Sequence, residues 1–389
     1  MHILRSLRAH PWIVVIPVVA LILVSYPETI IAPDETAPVA VPPAALNTLA
    51  SSTDIVAPVR AGANASTSAA TSTAQKVKKA SIQAIKSVAT TSPNEIVRIE
   101  NPYTTPPLPF ESINTYSRSA LVNILCSTKS TGALKPITGS GIIVSESGVI
   151  LTNAHVAQYV LIAQSGKSDL ECVVRTGAPA ASKWFPVVMY VPAPWIHTHA
   201  PEILQTNAVG TGEHDYALLY IAATTDGSPR PSTFPSVTPD SREAIGFVDD
   251  SVLTASYPVE FVGGTLVQSN LFPVTSIATI QRLMTFGIGS ADALSLGGII
   301  TAQSGSSGGA VVNQWNKVIG LITTTSRGET TAERDLHAIT TAYINRDMKR
   351  LTGRTLAETL ASDPKVMADA FRPEASLLAQ MLINSILGR

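Results

Sequence analysis

The chain has 389 residues, of which 45% are hydrophobic and 14% are charged. Its 27 Lys and Arg residues stand against 28 Asp and Glu residues, so the formal net charge is −1. This balance argues against a nucleic-acid-binding protein, which needs a basic face, and the hydrophobicity excludes a wholly disordered chain. Two cysteines are too few for a disulfide-rich scaffold or a four-cysteine zinc site.

The amino-terminal segment predicts a membrane anchor. Residues 1–10 carry basic and no acidic side chains, an uncharged run follows from Pro11 to Tyr26, and the next charges are acidic. This order predicts a cytoplasmic tip at residues 1–10, a signal anchor or transmembrane helix at residues 11–31, and an extracytoplasmic remainder in the periplasm or at the cell surface. A cleaved signal peptide, which would leave a secreted protein, is the alternative, because the strongest apolar core, Trp12–Val24, is short.

A low-complexity segment separates this anchor from the rest of the chain. Residues 32–110 are rich in Ala, Pro, Ser and Thr, as in YTTPPLP at Tyr103–Pro109. Such a composition buries too little apolar area to offset the entropy of ordering the chain. The segment is therefore predicted to be a flexible stalk.

The pattern then becomes strand-like and finally helical. From Ser119 to Thr325, short apolar runs alternate with Gly and Ser turn signals, which predicts an all-β sandwich or barrel. Helical patterns follow in YINRDMKRLTG, TLAETLASDPKVMADAF and EASLLAQMLINSIL. The last stretch is predicted to dock on the β domain through one apolar face. That face consists of Leu378, Met381, Leu382 and Ile386.

The stretch QSGSSGGAVV contains a candidate nucleophile, Ser307, between glycines. Glycines permit the sharp turn on which such a serine is exposed. The backbone amides of Gly305 and Ser307 are predicted to form an oxyanion hole. A glycine-serine linker is the alternative interpretation, although the apolar strand that follows argues against it.

A serine hydroxyl needs a general base, and the sequence offers His155 after the strand GVILTNAHV. Asp215 opens the apolar strand DYALLYIA, where a buried carboxylate can orient an imidazole. A hydrogen-bonded histidine at a strand end and a turn-forming aspartate are the alternatives for these two residues.

The order His155, Asp215, Ser307 is that of the chymotrypsin-type triad. TNAHV, DYALL and GSSGGA resemble the three motifs of trypsin-like serine proteases, and GSGIIVSESGVILTNAHV is most similar to the HtrA/Deg branch. The resemblance covers Ser119–Asp347 and implies two six-stranded antiparallel β-barrels of chymotrypsin type, with the triad in the cleft between them. Residues 111–347 are thus interpreted as the protease domain and residues 348–389 as a helical extension, too short and too helical for the PDZ domain of HtrA relatives.

The resemblance further implies a serine endopeptidase that acts on protein or peptide substrates through an acyl-enzyme and needs no metal or organic cofactor. A catalytically silent trypsin-fold binding module and an esterase with the same triad are the alternatives, and the oligomeric state is left open. Trypsin pairs a new amino terminus with an aspartate before its nucleophile. Ser306 stands there in this chain and cannot pair with an ammonium group, so activation is expected to proceed without such an insertion.

The substrate pocket is predicted to be neutral. Thr323, Thr324 and Thr325 stand where its wall is expected, and Thr301, six residues before Ser307, stands at its approximate base. With no acidic residue there, small or medium neutral side chains are the expected preference, which efficient cleavage after Arg or Lys would contradict.

The two cysteines, Cys126 and Cys172, remain open at this stage. Export to an oxidising compartment makes a disulfide between them possible. Two unpaired buried thiols are equally compatible with the sequence, because it does not give the distance between the two residues.

Overall fold

The computed structural model of the protein describes residues 98–99, 101–128, 134–205, 210–287, 289–326 and 328–389. The predicted cytoplasmic tip, membrane anchor and most of the stalk lie outside these residues. Within the described part of the chain, no helix has both the length and the apolar composition needed to cross a bilayer.

The first half of the domain is a closed antiparallel barrel of six strands, as predicted. Neighbours around the barrel follow the order β1-β2-β3-β6-β5-β4. Its interior is filled by branched aliphatic side chains such as Ile124, Ile142 and Leu219, which are fully buried. The strands are β1 (Leu121–Thr128), β2 (Ile137–Ser145), β3 (Val149–Thr152), β4 (Leu170–Thr176), β5 (Ala181–Tyr190) and β6 (Ala217–Thr224).

A disulfide joins Cys126 on β1 to Cys172 on β4. The two residues lie directly opposite each other in the antiparallel register of these strands, with their Cα atoms 4.0 Å apart. Of the two possibilities that the sequence leaves open, the structure thus has the bonded pair.

The second half is a seven-stranded antiparallel sheet in the order β8-β7-β11-β12-β13-β10-β9. The prediction of six strands was therefore wrong in number. The strands are β7 (Ser251–Ser256), β8 (Val274–Thr279), β9 (Arg282–Met284), β10 (Ala293–Ser295), β11 (Ala310–Val312), β12 (Val318–Thr325) and β13 (Leu336–Thr340).

The extra strand arises from a break between β8 and β9, which are consecutive in the chain but lie at opposite ends of the sheet order. Only two residues separate them. Ile280 donates its N–H to Asp250 on the β7 side, whereas Gln281 donates its N–H to Ser295 on β10. The two edges of the sheet therefore meet at this point, and the sheet curls into a barrel-like half.

Seven α-helices and one 3₁₀ turn of the described chain surround the sheets. The helix α1 packs on β7 and β2, while α7 packs on β5, β6, α2, α3 and the 3₁₀ turn of the first barrel. These helical elements are α1 (Phe110–Ala120), α2 (Ala154–Gln164), α3 (Ala193–His199), the 3₁₀ turn (Ala200–Glu202), α4 (Gly264–Ser269), α5 (Thr341–Thr352), α6 (Leu356–Leu360) and α7 (Pro364–Ile386).

The carboxy-terminal helices are divided differently from the prediction. The helix α7 starts at Pro364, where the Asp363 side chain accepts a hydrogen bond from the Val366 N–H, and it continues through Pro373. Its buried face does include the predicted Leu378 and Leu382.

The other two residues predicted for this face do not belong to its fully buried part. Met381 is exposed and Ile386 is only partly buried. Phe371 and Ala375 are buried instead, because the helix continues past Pro373 and extends the contact with the barrel toward its amino end.

The last residues of the predicted stalk are packed against the second sheet. Tyr103 stacks on Trp315 with ring centroids 4.8 Å apart and donates a hydrogen bond to Asp240. Trp315 Nε1 in turn donates to the carbonyl of Thr105. The predicted boundary at residue 110 is therefore too late, since one aromatic side chain and its polar partners fix a segment whose composition resembles a linker.

The segment between β6 and β7 connects the two halves and touches both. Val237 donates its N–H to the carbonyl of Ile143 on β2, and Asp240 donates its N–H to the carbonyl of Val318 on β12. These backbone hydrogen bonds help to hold the two β structures side by side.

We expect Leu378→Ala to lower the free energy of unfolding by about 2–5 kcal/mol, because it removes a side chain that is only 3% exposed under α7. Its neighbour Leu377 is 73% exposed, so Leu377→Ala is a matched control that should change stability by less than about 0.5 kcal/mol. Chemical denaturation of both variants measures this difference. Equal stabilities would show that α7 is not packed as described.

Candidate active site

His155 and Asp215 are brought together by strand pairing. The end of β3 lies beside the start of β6, with Thr152 opposite Ala217. His155 follows β3 in the first turn of α2, and Asp215 precedes β6. As a result, His155 Nδ1 lies 2.7 Å from Asp215 Oδ2, and the His155 backbone N–H donates to Asp215 Oδ1 at 3.0 Å.

The backbone around Asp215 is held as firmly as its carboxylate. The Asn153 side chain donates to the Asp215 carbonyl at 2.8 Å, and the Asp215 N–H donates to the carbonyl of Gly212. The Asp215 side chain is 6% exposed, whereas that of His155 is 34% exposed. The imidazole is therefore accessible from the cleft while its partner carboxylate is not.

The two charges stabilise each other. Burial disfavours the imidazolium, but the charge and the hydrogen bond of Asp215 outweigh it and raise the pKa of His155 above its ordinary value. Burial likewise raises the pKa of Asp215, and this is outweighed by His155 and by a hydrogen bond from Thr323, so that the net pKa is lowered. Asp215 is therefore ionised at neutral pH.

Ser307 lies on a turn that two glycines with positive φ make possible. Gly305 has φ 87° and Gly308 has φ 85°, a region in which residues with a Cβ atom are strained. A Cβ atom at position 308 would lie only 1.9 Å from the carbonyl oxygen of Ser140 and 2.5 Å from Thr152 Oγ1. Only glycine fits there without displacing β2.

Thr323 links the serine turn to the His155–Asp215 pair. Ser307 Oγ donates to the Thr323 carbonyl at 3.3 Å, and Thr323 Oγ1 donates to Asp215 Oδ2 at 2.7 Å. Within the described residues, Ser307 Oγ has no hydrogen bond to His155. Thr323 thus bonds Ser307 through its carbonyl and Asp215 through its hydroxyl, while His155 and Asp215 contact each other directly.

Two backbone amides of the turn have no acceptor among the described residues, and they are those of Gly305 and Ser307. The neighbouring amides of Ser306, Gly308 and Gly309 donate to backbone carbonyls. The pair predicted as an oxyanion hole is therefore the pair available to a ligand oxygen.

Residues 139–321, which include His155, Asp215 and Ser307, match the family model described as a trypsin-like peptidase domain. The chain contains a trypsin-like peptidase domain.

Among solved structures, a serine endoprotease from Yersinia pestis is similar to this chain, with 21% sequence identity and a TM-score of 0.40. The alignment covers 64% of this chain and 70% of that chain. None of the curated protein sequences is significantly similar to this chain.

Two of the threonines predicted to line a substrate pocket have hydroxyl groups that are hydrogen-bonded inside the fold. Thr301 is fully buried, with its hydroxyl 3.0 Å from that of Thr254, and the Thr323 hydroxyl is bound to Asp215. The side chains of Thr324 and Thr325 lie outside the described part. These partners have a physical cause, since a buried hydroxyl must find a partner inside the fold, and the neutral pocket stays a prediction.

Ser306, the residue before the proposed nucleophile, is buried and its hydroxyl accepts a hydrogen bond from Ser256 Oγ at 3.0 Å. No charged group is hydrogen-bonded to it among the described residues. The expectation that activation requires no inserted amino terminus remains a prediction.

Ser140 is a site residue that the sequence analysis missed. Its hydroxyl donates to the Gly305 carbonyl at 2.7 Å and accepts from the Tyr257 N–H, while its own N–H donates to the Ser307 carbonyl at 2.7 Å. A fully buried strand residue of the first barrel thereby holds the serine turn of the second. The only available signal was its position in the GSG triplet that precedes the apolar pair.

We expect Gly308→Ala to destabilise the domain by roughly 3 kcal/mol or more, because the new methyl group overlaps the Ser140 carbonyl and strains the turn. Gly264→Ala is the control, since a Cβ atom there meets nothing within 4 Å. Thermal unfolding of both variants measures the effect. A Gly308→Ala variant as stable as the Gly264→Ala variant would contradict the described turn.

Proposed function

We propose that the protein is a membrane-tethered serine endopeptidase that hydrolyses peptide bonds of extracytoplasmic proteins. The observation that carries the proposal is the His155–Asp215 pair beside the Ser307 turn, in which the two amides of the predicted oxyanion hole are unpaired. The family match supports a peptidase fold around the same residues.

In this mechanism Ser307 Oγ attacks the scissile carbonyl while His155 Nε2 takes its proton. The Nδ1 atom of His155 faces Asp215, which fixes the tautomer that leaves Nε2 free to accept a proton. In the described structure Ser307 Oγ donates to the Thr323 carbonyl instead, and catalytic hydrogen bonds of this kind often tighten when substrate binds.

The amides of Gly305 and Ser307 receive the negative charge that develops on the carbonyl oxygen. Neither amide has an acceptor among the described residues, so both are available to that oxygen, and one such donor contributes about 10²–10³ in rate. His155 then donates its proton to the leaving amine, and water hydrolyses the acyl-enzyme through the same acid–base steps.

An extended peptide fits this site better than a small ester does. The pairing of β12 with β11 ends at Leu321, and Ile322 then bonds Gly308 and Gly309 of the serine turn, whereas β12 itself continues to Thr325. An edge that runs on past its neighbour can pair with an extended segment through backbone hydrogen bonds. This feature favours endopeptidase over esterase activity.

We expect a fluorophosphonate probe to label the full-length protein and Ser307→Ala to abolish labelling, because the hydroxyl is the attacking group. Asp215→Asn should lower kcat by about 10⁴-fold, since the wrong tautomer of His155 is favoured. Ser304→Ala is a control in the same turn and should label normally, as its side chain is exposed. Equal labelling of the Ser307→Ala and Ser304→Ala variants would refute the assignment.

The tether proposed at residues 11–31 rests on the apolar run of the sequence and on the change from basic to acidic flanks. We expect the full-length protein to stay in the membrane fraction after an alkaline carbonate wash, and a variant that lacks residues 1–31 to be released. Protease added from outside should digest the domain in cells whose outer envelope has been permeabilised. Release of the full-length chain by the wash would favour signal cleavage instead.

A further inference from the structure

The two residues that flank Asp215 are bound to one carboxylate of α5. His214 Nδ1 lies 2.7 Å from Asp347 Oδ2, and the Tyr216 hydroxyl donates to the same oxygen at 3.0 Å. Among the described residues, Asp347 has no hydrogen bond to His155 or Ser307. Its hydrogen bonds reach the site through the tripeptide that contains Asp215.

The backbone at this point also depends on α5. His214 has φ 60°, a conformation that non-glycine residues rarely adopt, and its N–H donates to the Tyr343 hydroxyl at 2.9 Å. Tyr343 and Asp347 are four residues apart and thus share one face of α5. One turn of helix holds both the side chain and the backbone of His214.

Asp347 is buried and fully partnered. It is 4% exposed, and Arg350 donates to its other oxygen, Oδ1, at 2.7 Å. Burial raises the pKa of Asp347, but the hydrogen bonds from His214 and Arg350 outweigh it and the net pKa is lowered. The remaining charged neighbour is Glu213, 3.8 Å from His214 Nε2. An ionised carboxylate with these partners is a rigid attachment point.

We infer that Asp347 is a positioning residue for the proposed triad, which acts through His214 and Tyr216 to set the place of the Asp215 carboxylate. This inference rests on the proposed function for its effect on rate. The helix α5 follows β13 directly and leads through α6 into α7, which packs on the first barrel. The carboxy-terminal helices are thereby connected to the catalytic centre rather than appended to it.

The test compares Asp347→Ala with Asp292→Asn in the full-length protein. Asp292 is an equally buried acid whose carboxylate bonds Thr285, Ser290 and the α5 residue Arg346, and among the described residues it has no hydrogen bond to the triad. Two measurements are made on each variant: the histidine titration followed by NMR after ¹⁵N-histidine labelling, and the pH dependence of kcat/KM.

In the Asp347→Ala variant, a displaced Asp215 supports the imidazolium less. His155 should therefore titrate at a lower pH than in the unmodified protein, and the acidic limb of kcat/KM should move the same way. The plateau of kcat/KM should fall between about tenfold and 100-fold, mainly through kcat, as expected for a small misplacement of a catalytic group. In the Asp292→Asn variant, the His155 titration should be unchanged even if stability falls.

A folded Asp347→Ala variant with an unchanged His155 titration would overturn the inference. If that variant does not fold, His214→Asn decides, because asparagine tolerates the left-handed backbone and removes the ring contact with Asp347; an unchanged titration there has the same meaning. If the unmodified protein shows no Ser307-dependent activity, the proposed function fails, but the NMR titration still tests the link between Asp347 and the His155–Asp215 pair.

Discussion

The close approach of two backbones, at Gly308 and Ser140, is the contact on which the site depends. The two residues belong to different β structures, and no side chain fits between them, since a Cβ atom at position 308 would lie 1.9 Å from the Ser140 carbonyl. The hydrogen bond from the Ser140 N–H to the Ser307 carbonyl then fixes the turn against β2. The conformation of the serine turn is thus set by the first barrel, although the turn belongs to the second sheet.

The same dependence holds for the charges. A buried carboxylate is strongly destabilising unless it is paired and hydrogen-bonded. Asp215 obtains its partners from α2, through His155, and from β12, through Thr323. Because one comes from each half of the domain, Asp215 is fully satisfied only when the two halves are docked. The buried, ionised carboxylate is therefore stabilised only when the cleft is assembled.

Much of this arrangement could be predicted from the sequence, and the failures have particular causes. The contact of His155 with Asp215 was predicted from the order of the three motifs and their resemblance to the chymotrypsin-type triad, and the pairing of β3 with β6 brings the two residues together. The role of Thr323 could not be found in the run IGLITTT, since a register shift between Ile322 and Thr324 interrupts the two-residue alternation. At that irregularity the Thr323 hydroxyl bonds Asp215.

The carboxy-terminal boundary of the protease domain is a second feature that the sequence does not locate. The family resemblance places the end of the protease domain at residue 347, but this position lies in the middle of α5, which runs from Thr341 to Thr352. A boundary there would separate Asp347 from Arg350, its partner in the next turn, and would remove α7 from the first barrel. The apolar face of α7 covers Tyr190, whose ring lies 5.7 Å from that of Phe371. Residues that look like an appended helical tail are therefore part of the domain's core. The helix α5, which follows β13 of the second sheet, bonds the residues on either side of Asp215, and α7 covers the first barrel.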